Sequence, residues 1–238
     1  MGFLNRIGIG NVRATAPSDA VAVRASAAAA AMAAPSFAPR ESRGSNSLKD
    51  FLWHLSGIGR GNLLDLGPAW QSTITFFIER GFKVSTEDVL MGWKQCSKEE
   101  EQRQSSLPAD SERISRAELA KVFLETNLQF APGSFDAILA WDVLDYLEDD
   151  AMKLVAERLR SLVREGGVIL AMFHSKRPQQ FQRYRIMDEK TLEMVSSSSI
   201  FPMARVFQNR EISDLFARFH TSKTYLGRDQ LREGLFVK

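Results

Sequence analysis

The sequence predicts an α/β protein: a mostly parallel sheet with helices on both faces, finished by an antiparallel hairpin at the C-terminus. Three observations predict it. From residue 47 onward, short apolar segments alternate with amphipathic ones. Some of the apolar segments, such as Gly167–Phe173, show no in-and-out alternation, as expected of strands buried on both faces. The last two strand-like segments, around Ser222–Leu226 and Gly234–Val237, are too close in sequence for a helical crossover and must pair antiparallel.

The elements follow in order. Residues 1–45 differ from the rest: an alanine-rich block at Ala25–Ala34, scattered prolines and glycines, five arginines and only two acids. So little large apolar side chain reads as a disordered tail, with the folded domain at 46–238. The same composition is similar to that of an organelle transit peptide. Met1-Gly2 fits the start of a myristoylation signal, but Arg6 stands where that signal has Ser or Thr. Ser47-Leu48-Lys49-Asp50 has the form of a capping box, and Leu48, Phe51, Leu52 and Leu55 follow on one helical face. Gly57 and Gly59 end that helix. A first strand, Asn62–Leu66, leads to a helix over Gln71–Arg80 and a second strand, Phe82–Thr86. Residues 91–116 are polar and charged, a solvated loop or an exposed helix. A short helix, Arg116–Val122, precedes a third strand, Phe123–Phe130. After the turn at 131–134, Phe135–Trp141 is the fourth strand. Glu148, Asp149 and Asp150 load the start of the next helix with negative charge, and Arg158, Arg160 and Arg164 load its end, which suits the helix dipole. Gly166 is placed as the residue just past that helix, before the fifth strand, Gly167–Phe173. Residues 175–205 read as irregular. Asn209 then caps a helix bearing Ile212, Leu215, Phe216 and Phe219, and the hairpin closes the chain.

Composition excludes several function classes. The net charge of +2 offers no basic field for nucleic acid or an anionic membrane. No apolar run reaches the ~18 residues of a membrane helix. The single cysteine, Cys96, rules out an intramolecular disulfide and fits a reducing cytosol. There is no Cys/His cluster for a metal, no G-x-S-x-G and no P-loop.

Residues 61–88 carry the chemistry. A strand stops at Gly67, a helix follows, and a second strand runs into Glu87 and Asp88, about 20 residues on. A glycine turn of this kind lets backbone approach an adenosine-containing cofactor, and the acid accepts hydrogen bonds from ribose hydroxyls. By itself the unit is thin: Gly67 stands alone where dinucleotide binders carry G-x-G-x-x-G.

Four stretches in order resemble the class I S-adenosylmethionine-dependent methyltransferases, closest to their small-molecule, type 11-like branch. Leu63-Leu64-Asp65-Leu66-Gly67 resembles the first-strand signature of that family, and Gly81–Asp88 its second strand. Phe130–Leu144 resembles the run into its fourth strand, and Leu162–Leu170, with Gly166-Gly167, the junction into its fifth. The resemblance covers about residues 47–238. It implies a Rossmann-like sheet of seven strands in the order 3-2-1-4-5-7-6, strand 7 antiparallel, and S-adenosyl-L-methionine as cofactor. It places the Asp65-to-Gly67 turn at the methionine end, Asp88 on the ribose, Asn127 and Leu128 at the adenine, and Asp142 beside the methionine moiety. The glycines that continue the family turn are replaced by Ala69 and Gln71; the Gln71 amide has the groups to bond the cofactor's carboxylate or amine.

Methyl transfer from a sulfonium is an in-line displacement that needs orientation and a dry pocket rather than a protein nucleophile. His174, at the end of the fifth strand, is the candidate base for an oxygen or nitrogen acceptor. Trp70 and Trp141 are core residues or pocket walls. The 175–205 segment, with Phe181, Arg183, Tyr184 and Arg185, lies where the family builds acceptor specificity. The expectation is a cytoplasmic methyltransferase acting on a small-molecule acceptor, with no nucleic-acid or membrane partner. Two other readings stay open: a methyltransferase-fold module that binds S-adenosylmethionine without turnover, and an NAD(P)-dependent Rossmann oxidoreductase. The missing glycines and the terminal hairpin count against the second.

Overall fold

The computed structural model describes residues 40–108, 111, 113–197, 201–227 and 229–238, all within the unit Phe37–Lys238. In chain order its elements are β1 (Arg40–Gly44), α1 (Asn46–Leu55), β2 (Gly61–Asp65), α2 (Gln71–Ile78), β3 (Phe82–Thr86), α3 (Val89–Ser105), α4 (Arg116–Asn127), β4 (Phe135–Trp141), α5 (Asp149–Leu162), β5 (Val163–His174), β6 (Gln182–Ile186), β7 (Thr191–Ser196), α6 (Asn209–Leu215), β8 (Thr221–Leu226) and β9 (Leu231–Val237). Six strands form the main sheet in the order β3-β2-β4-β5-β9-β8. The β3-β2, β2-β4 and β4-β5 pairs are parallel; β9 runs antiparallel to both β5 and β8. The mostly parallel sheet and its terminal hairpin are as the sequence predicts.

The period-two geometry of strands divides the apolar residues between two cores. Leu64, Ile138, Ile169, Ala171 and Phe173 face α3, α4, α5 and α6. Their neighbours Leu63, Ala137, Leu139, Val168, Leu170 and Met172 face α1 and α2. This two-sided burial is the reason β4 and β5 carry so few polar residues.

The third strand expected at Phe123–Phe130 does not form. Those residues extend α4 to Asn127, so the main sheet has six strands and β3 is its edge. Ser115 and Glu118 make a reciprocal capping box that starts the helix, and Leu119, Ala120 and Phe123 bury one face of it. With the chain already helical, Phe123 fits the 3.6-residue repeat better than a strand. The polar run after Asp88 is the long exposed helix α3. Gly166 has a positive φ of 72° but lies inside β5, because α5 stops at Leu162. α6 is capped by Gln208 rather than Asn209, through its own capping box with Glu211.

The segment 175–205, expected to be irregular, contains β6 and β7. Together with β1 they form a second, antiparallel sheet in the order β1-β7-β6. β1 also moves the domain boundary: residues 40–45 belong to the fold rather than to a tail. The rest of the expected tail, residues 1–39, lies outside the described residues. The side chain of Ser45, not Ser47, caps α1, accepting from the Leu48 amide at 3.0 Å. Ser47 instead donates its amide and hydroxyl to the Glu233 carboxylate at 3.0 and 2.7 Å. Among the described residues no helix is long and apolar enough to cross a membrane.

Candidate functional site

The chain runs from β2 outward to β3 and then returns to place β4 on the other side of β2. Strand order reverses there, and ligands of open α/β sheets bind outside the C-terminal strand ends at such a reversal. Asp65 ends β2, Asp88 follows β3, Asp142 follows β4 and His174 ends β5. The topology therefore gathers four of the nine candidate residues from the sequence, with Gly67 beside them.

Asp65 is fully buried. Its Oδ1 accepts from the Gly67 amide at 2.9 Å and the Trp141 indole N–H at 2.6 Å, while Oδ2 has no partner among the described residues. Burial pushes its pKa up to about 6. Gly67 is small for a reason visible in the same contacts: a Cβ there would lie 2.9 Å from Trp141 Nε1. Trp141 takes a positive φ of 47° and stacks on Tyr184 of β6, with centroids 5.8 Å apart and planes 12° from parallel.

Asp142 is 3% exposed. Tyr184 donates its hydroxyl to Asp142 Oδ2 at 3.4 Å, and His174 Nδ1 lies 3.8 Å from the same oxygen. Burial, opposed by the His174 charge, raises the Asp142 pKa to about 7. Asp145, in the turn Val143–Tyr146 that follows β4, binds His174 twice. Its Oδ2 accepts from the His174 amide at 2.7 Å and lies 2.8 Å from Nδ1. Burial raises Asp145. Burial also pulls His174 down, but the Asp145 hydrogen bond and the charges of Asp142 and Asp145 outweigh it, and its pKa is raised overall. Asp145 Oδ1 and the Tyr146 hydroxyl are buried without partners among the described residues. His174 Nε2 makes no hydrogen bond to them.

Asp88 caps α3, its Oδ1 accepting from the Met91 amide at 3.2 Å. Arg183 Nη2 of β6 sits 3.1 Å from that oxygen.

The remaining candidates lie apart from this cluster. Ala69 and Gln71 are exposed, and the Gln71 amide donates to Thr75 along its own helix at 2.9 Å. Asn127 and Leu128, expected at the end of a third strand, instead end α4. The Asn127 side-chain amide is spent on Phe123 O and Thr126 Oγ1. Asn127 still borders α3: a Cβ at Gly92, one turn past Asp88, would lie 3.2 Å from Asn127 Oδ1. Leu128 is fully buried in the core. Asp145 stands 29 positions before His174, and only the fold brings the two together. Tyr184 and Arg183 were visible as part of a specificity segment, but nothing local to them shows that they reach Asp142 and Asp88.

A cavity of about 320 Å³ lies at the opposite ends of the strands, lined by Leu52, Leu55, Ile58, Phe77 and Phe82 together with Arg80 and Glu189. It is remote from the acids, at the end of the sheet where α/β proteins do not place ligands. Among the described residues no group of three His, Cys, Asp or Glu side chains is arranged to hold a metal.

No protein-family model matches the sequence, and no curated protein matches it. Several solved structures similar to it are methyltransferases, and another is described as a putative zinc-dependent alcohol dehydrogenase from Rhodobacter sphaeroides. One of the methyltransferases is the Burkholderia thailandensis 1,6-didemethyltoxoflavin-N1-methyltransferase with bound 1,6-didemethyltoxoflavin and S-adenosylhomocysteine: 17% identity over 80% of this chain and 75% of that one, TM-score 0.42. Another, from Methanosarcina mazei, is 12% identical over 78% and 96%, TM-score 0.42. A third, from Clostridium acetobutylicum, is 13% identical over 80% and 90%, TM-score 0.40. At these identities and scores the likeness is one of fold alone.

Proposed function

We propose that this protein is a cytoplasmic S-adenosylmethionine-dependent methyltransferase with a small-molecule acceptor. The observation that carries the reading is the convergence of Asp65, Asp88 and Asp142 at the strand reversal, with buried carboxylate oxygen left unpaired. The donor set fits the cofactor: a glycine turn, an acid after β3 for two hydroxyls, and buried acids suited to a ligand carrying an ammonium and a sulfonium. Asp88 would hold the ribose, with the Asp65–Gly67 turn and Asp142 beside the methionine end. When bound, the cofactor supplies an activated methyl group; the chain supplies position and a dry wall of Trp141, Tyr146 and Tyr184.

His174 is the imidazole of this cluster and its candidate base. Asp145 holds Nδ1 and the backbone amide, which fixes the ring and leaves Nε2 to receive the proton of a hydroxyl or amine acceptor. The Asp145 hydrogen bond and the neighbouring acids raise its pKa, so it holds its proton to higher pH than an ordinary imidazole and turnover should climb as pH rises.

Calorimetric and thermal-shift titration with S-adenosylmethionine, S-adenosylhomocysteine and NAD tests the reading. The adenosyl ligands should stabilise the protein, by about 2.7 kcal/mol at about 100 times Kd, and NAD should not. No shift with either adenosyl ligand at millimolar concentration removes the cofactor assignment.

A further inference from the structure

We infer that Arg183 is a latch on the cofactor site: its guanidinium holds the place at Asp88 that a ribose would take and must leave before a nucleoside can bind. This rests on the cofactor reading above. Asp88 has two carboxylate oxygens to offer a ribose diol. Oδ1 is already shared between the Met91 amide and Arg183 Nη2, at 3.2 and 3.1 Å. Arg183 is held there on several sides. Its side chain is 11% exposed, against 23% for Asp88, and its guanidinium lies 4.8 Å from the Phe181 ring centroid and 5.7 Å from that of Phe201.

The small sheet is firmly seated, so the side chain rather than the sheet is the moving part. The next residue on β6, Tyr184, is stacked on Trp141 and bonded to Asp142. Two residues further on, the Ile186 amide donates to the buried Thr73 hydroxyl of α2 at 2.9 Å. β7 pairs β6 to β1 along its length. A guanidinium on a flexible stem can swing away while these contacts persist. The apparent affinity for a nucleoside is then the intrinsic affinity reduced by the fraction of molecules with Asp88 free.

Titration of wild type, Arg183→Met, Asp88→Asn and the double variant with S-adenosylhomocysteine and with adenosine decides the matter. S-adenosylhomocysteine has no sulfonium charge, so loss of the arginine charge alters long-range attraction to it little. Arg183→Met should bind both ligands roughly 5- to 10-fold tighter than wild type. The gain should disappear in the Asp88→Asn background and with 2′,3′-dideoxyadenosine, which lacks the hydroxyls. Equal or weaker binding by Arg183→Met, or a gain that survives loss of Asp88, overturns the latch while leaving the cofactor reading intact. Absence of binding by wild type and variant alike overturns both. If Arg183→Met does not fold, Arg183→Gln supplies the measurement: it keeps a polar side chain of similar reach but not the charge, and adenosine should again bind more tightly than to wild type. Equal or weaker binding there rejects the latch.

Discussion

At the scale of the residue, the site is a set of buried polar side chains that hold one another. Asp65 binds Gly67 and Trp141, and Asp145 binds His174. Trp141→Phe keeps the ring stacked against Tyr184 but removes the 2.6 Å indole bond, leaving a buried carboxylate with one donor fewer. The expected loss of unfolding free energy is about 1–3 kcal/mol by urea denaturation; a variant as stable as wild type would mean that Asp65 does not depend on Trp141. Asp88→Ala should weaken S-adenosylhomocysteine binding by about 1–3 kcal/mol in calorimetry, through lost charge-assisted hydrogen bonds. Unchanged affinity would take Asp88 out of the site. Asp65, Asp88 and Asp142 were legible in the sequence because each stands at or just past the end of a strand-like segment in a stretch that resembles the methyltransferase pattern. Asp145 and Arg183 were not assigned these contacts because their partners are 29 and 95 positions away in the chain.

At the scale of the element, β1 and α1 are tied to β9 through one carboxylate. Glu233 is 2% exposed, accepts from the Ser45 hydroxyl and from the Ser47 amide and hydroxyl, and pairs with Arg43 Nη2 at 2.7 Å. Glu233→Ala leaves the buried Arg43 with the partly exposed Asp229 as its acidic partner, takes the acceptor from Ser45 and Ser47, and should cost about 3 kcal/mol. The exposed pair Lys223–Asp50 is a control from the same hairpin: Lys223→Ala should cost no more than about 1 kcal/mol. Chemical denaturation of the two variants side by side checks both figures, and similar losses would contradict the burial argument. Elements were legible where pattern and context agree. β4 was placed at Phe135–Trp141, the residues the sequence indicated, because an apolar run between a turn and an acidic helix start has few alternatives. The run 123–130 mixes Phe123, Leu124, Leu128 and Phe130 with polar residues and suits helix or strand. The upstream capping box decides it. On β6 and β7, Tyr184, Ile186, Leu192 and Met194 face the core, but Arg183, Arg185 and Glu193 alternate with them as ion-paired residues, so their polar composition hid the strands.

For the whole molecule, the acid cluster sets the sign of the pH dependence of stability. Asp65 and Asp142 are raised to about 6 and about 7 from an ordinary 3.8, both chiefly by burial; Asp145 is also raised, and so is His174. Each of these groups binds its proton more tightly in the folded chain than in the unfolded one. Their contribution is therefore complete below the unfolded pKa and is lost as pH rises through the folded pKa. Between about pH 4 and pH 7 the native state holds the extra protons, and stability should decline as pH rises. The slope is at most about 1.4 kcal/mol per pH unit for each proton released. The carboxylates with lowered pKa, Asp50, Glu100, Glu118, Glu157 and Asp188, act in the opposite sense, but all five are near the surface and screened by solvent, so the buried cluster dominates above pH 5. Because Asp142, Asp145 and His174 are in contact, they release protons as a unit, and a single substitution should change the whole profile. Asn at position 142 keeps the shape and cannot ionise. Urea unfolding of wild type and Asp142→Asn from pH 5 to pH 8 should show wild type losing ground to the variant as pH rises, with the two curves diverging most steeply between pH 5 and 7. Parallel curves would mean that Asp142 carries its ordinary charge in the folded protein, and that the site holds an anion where the geometry calls for a shared proton.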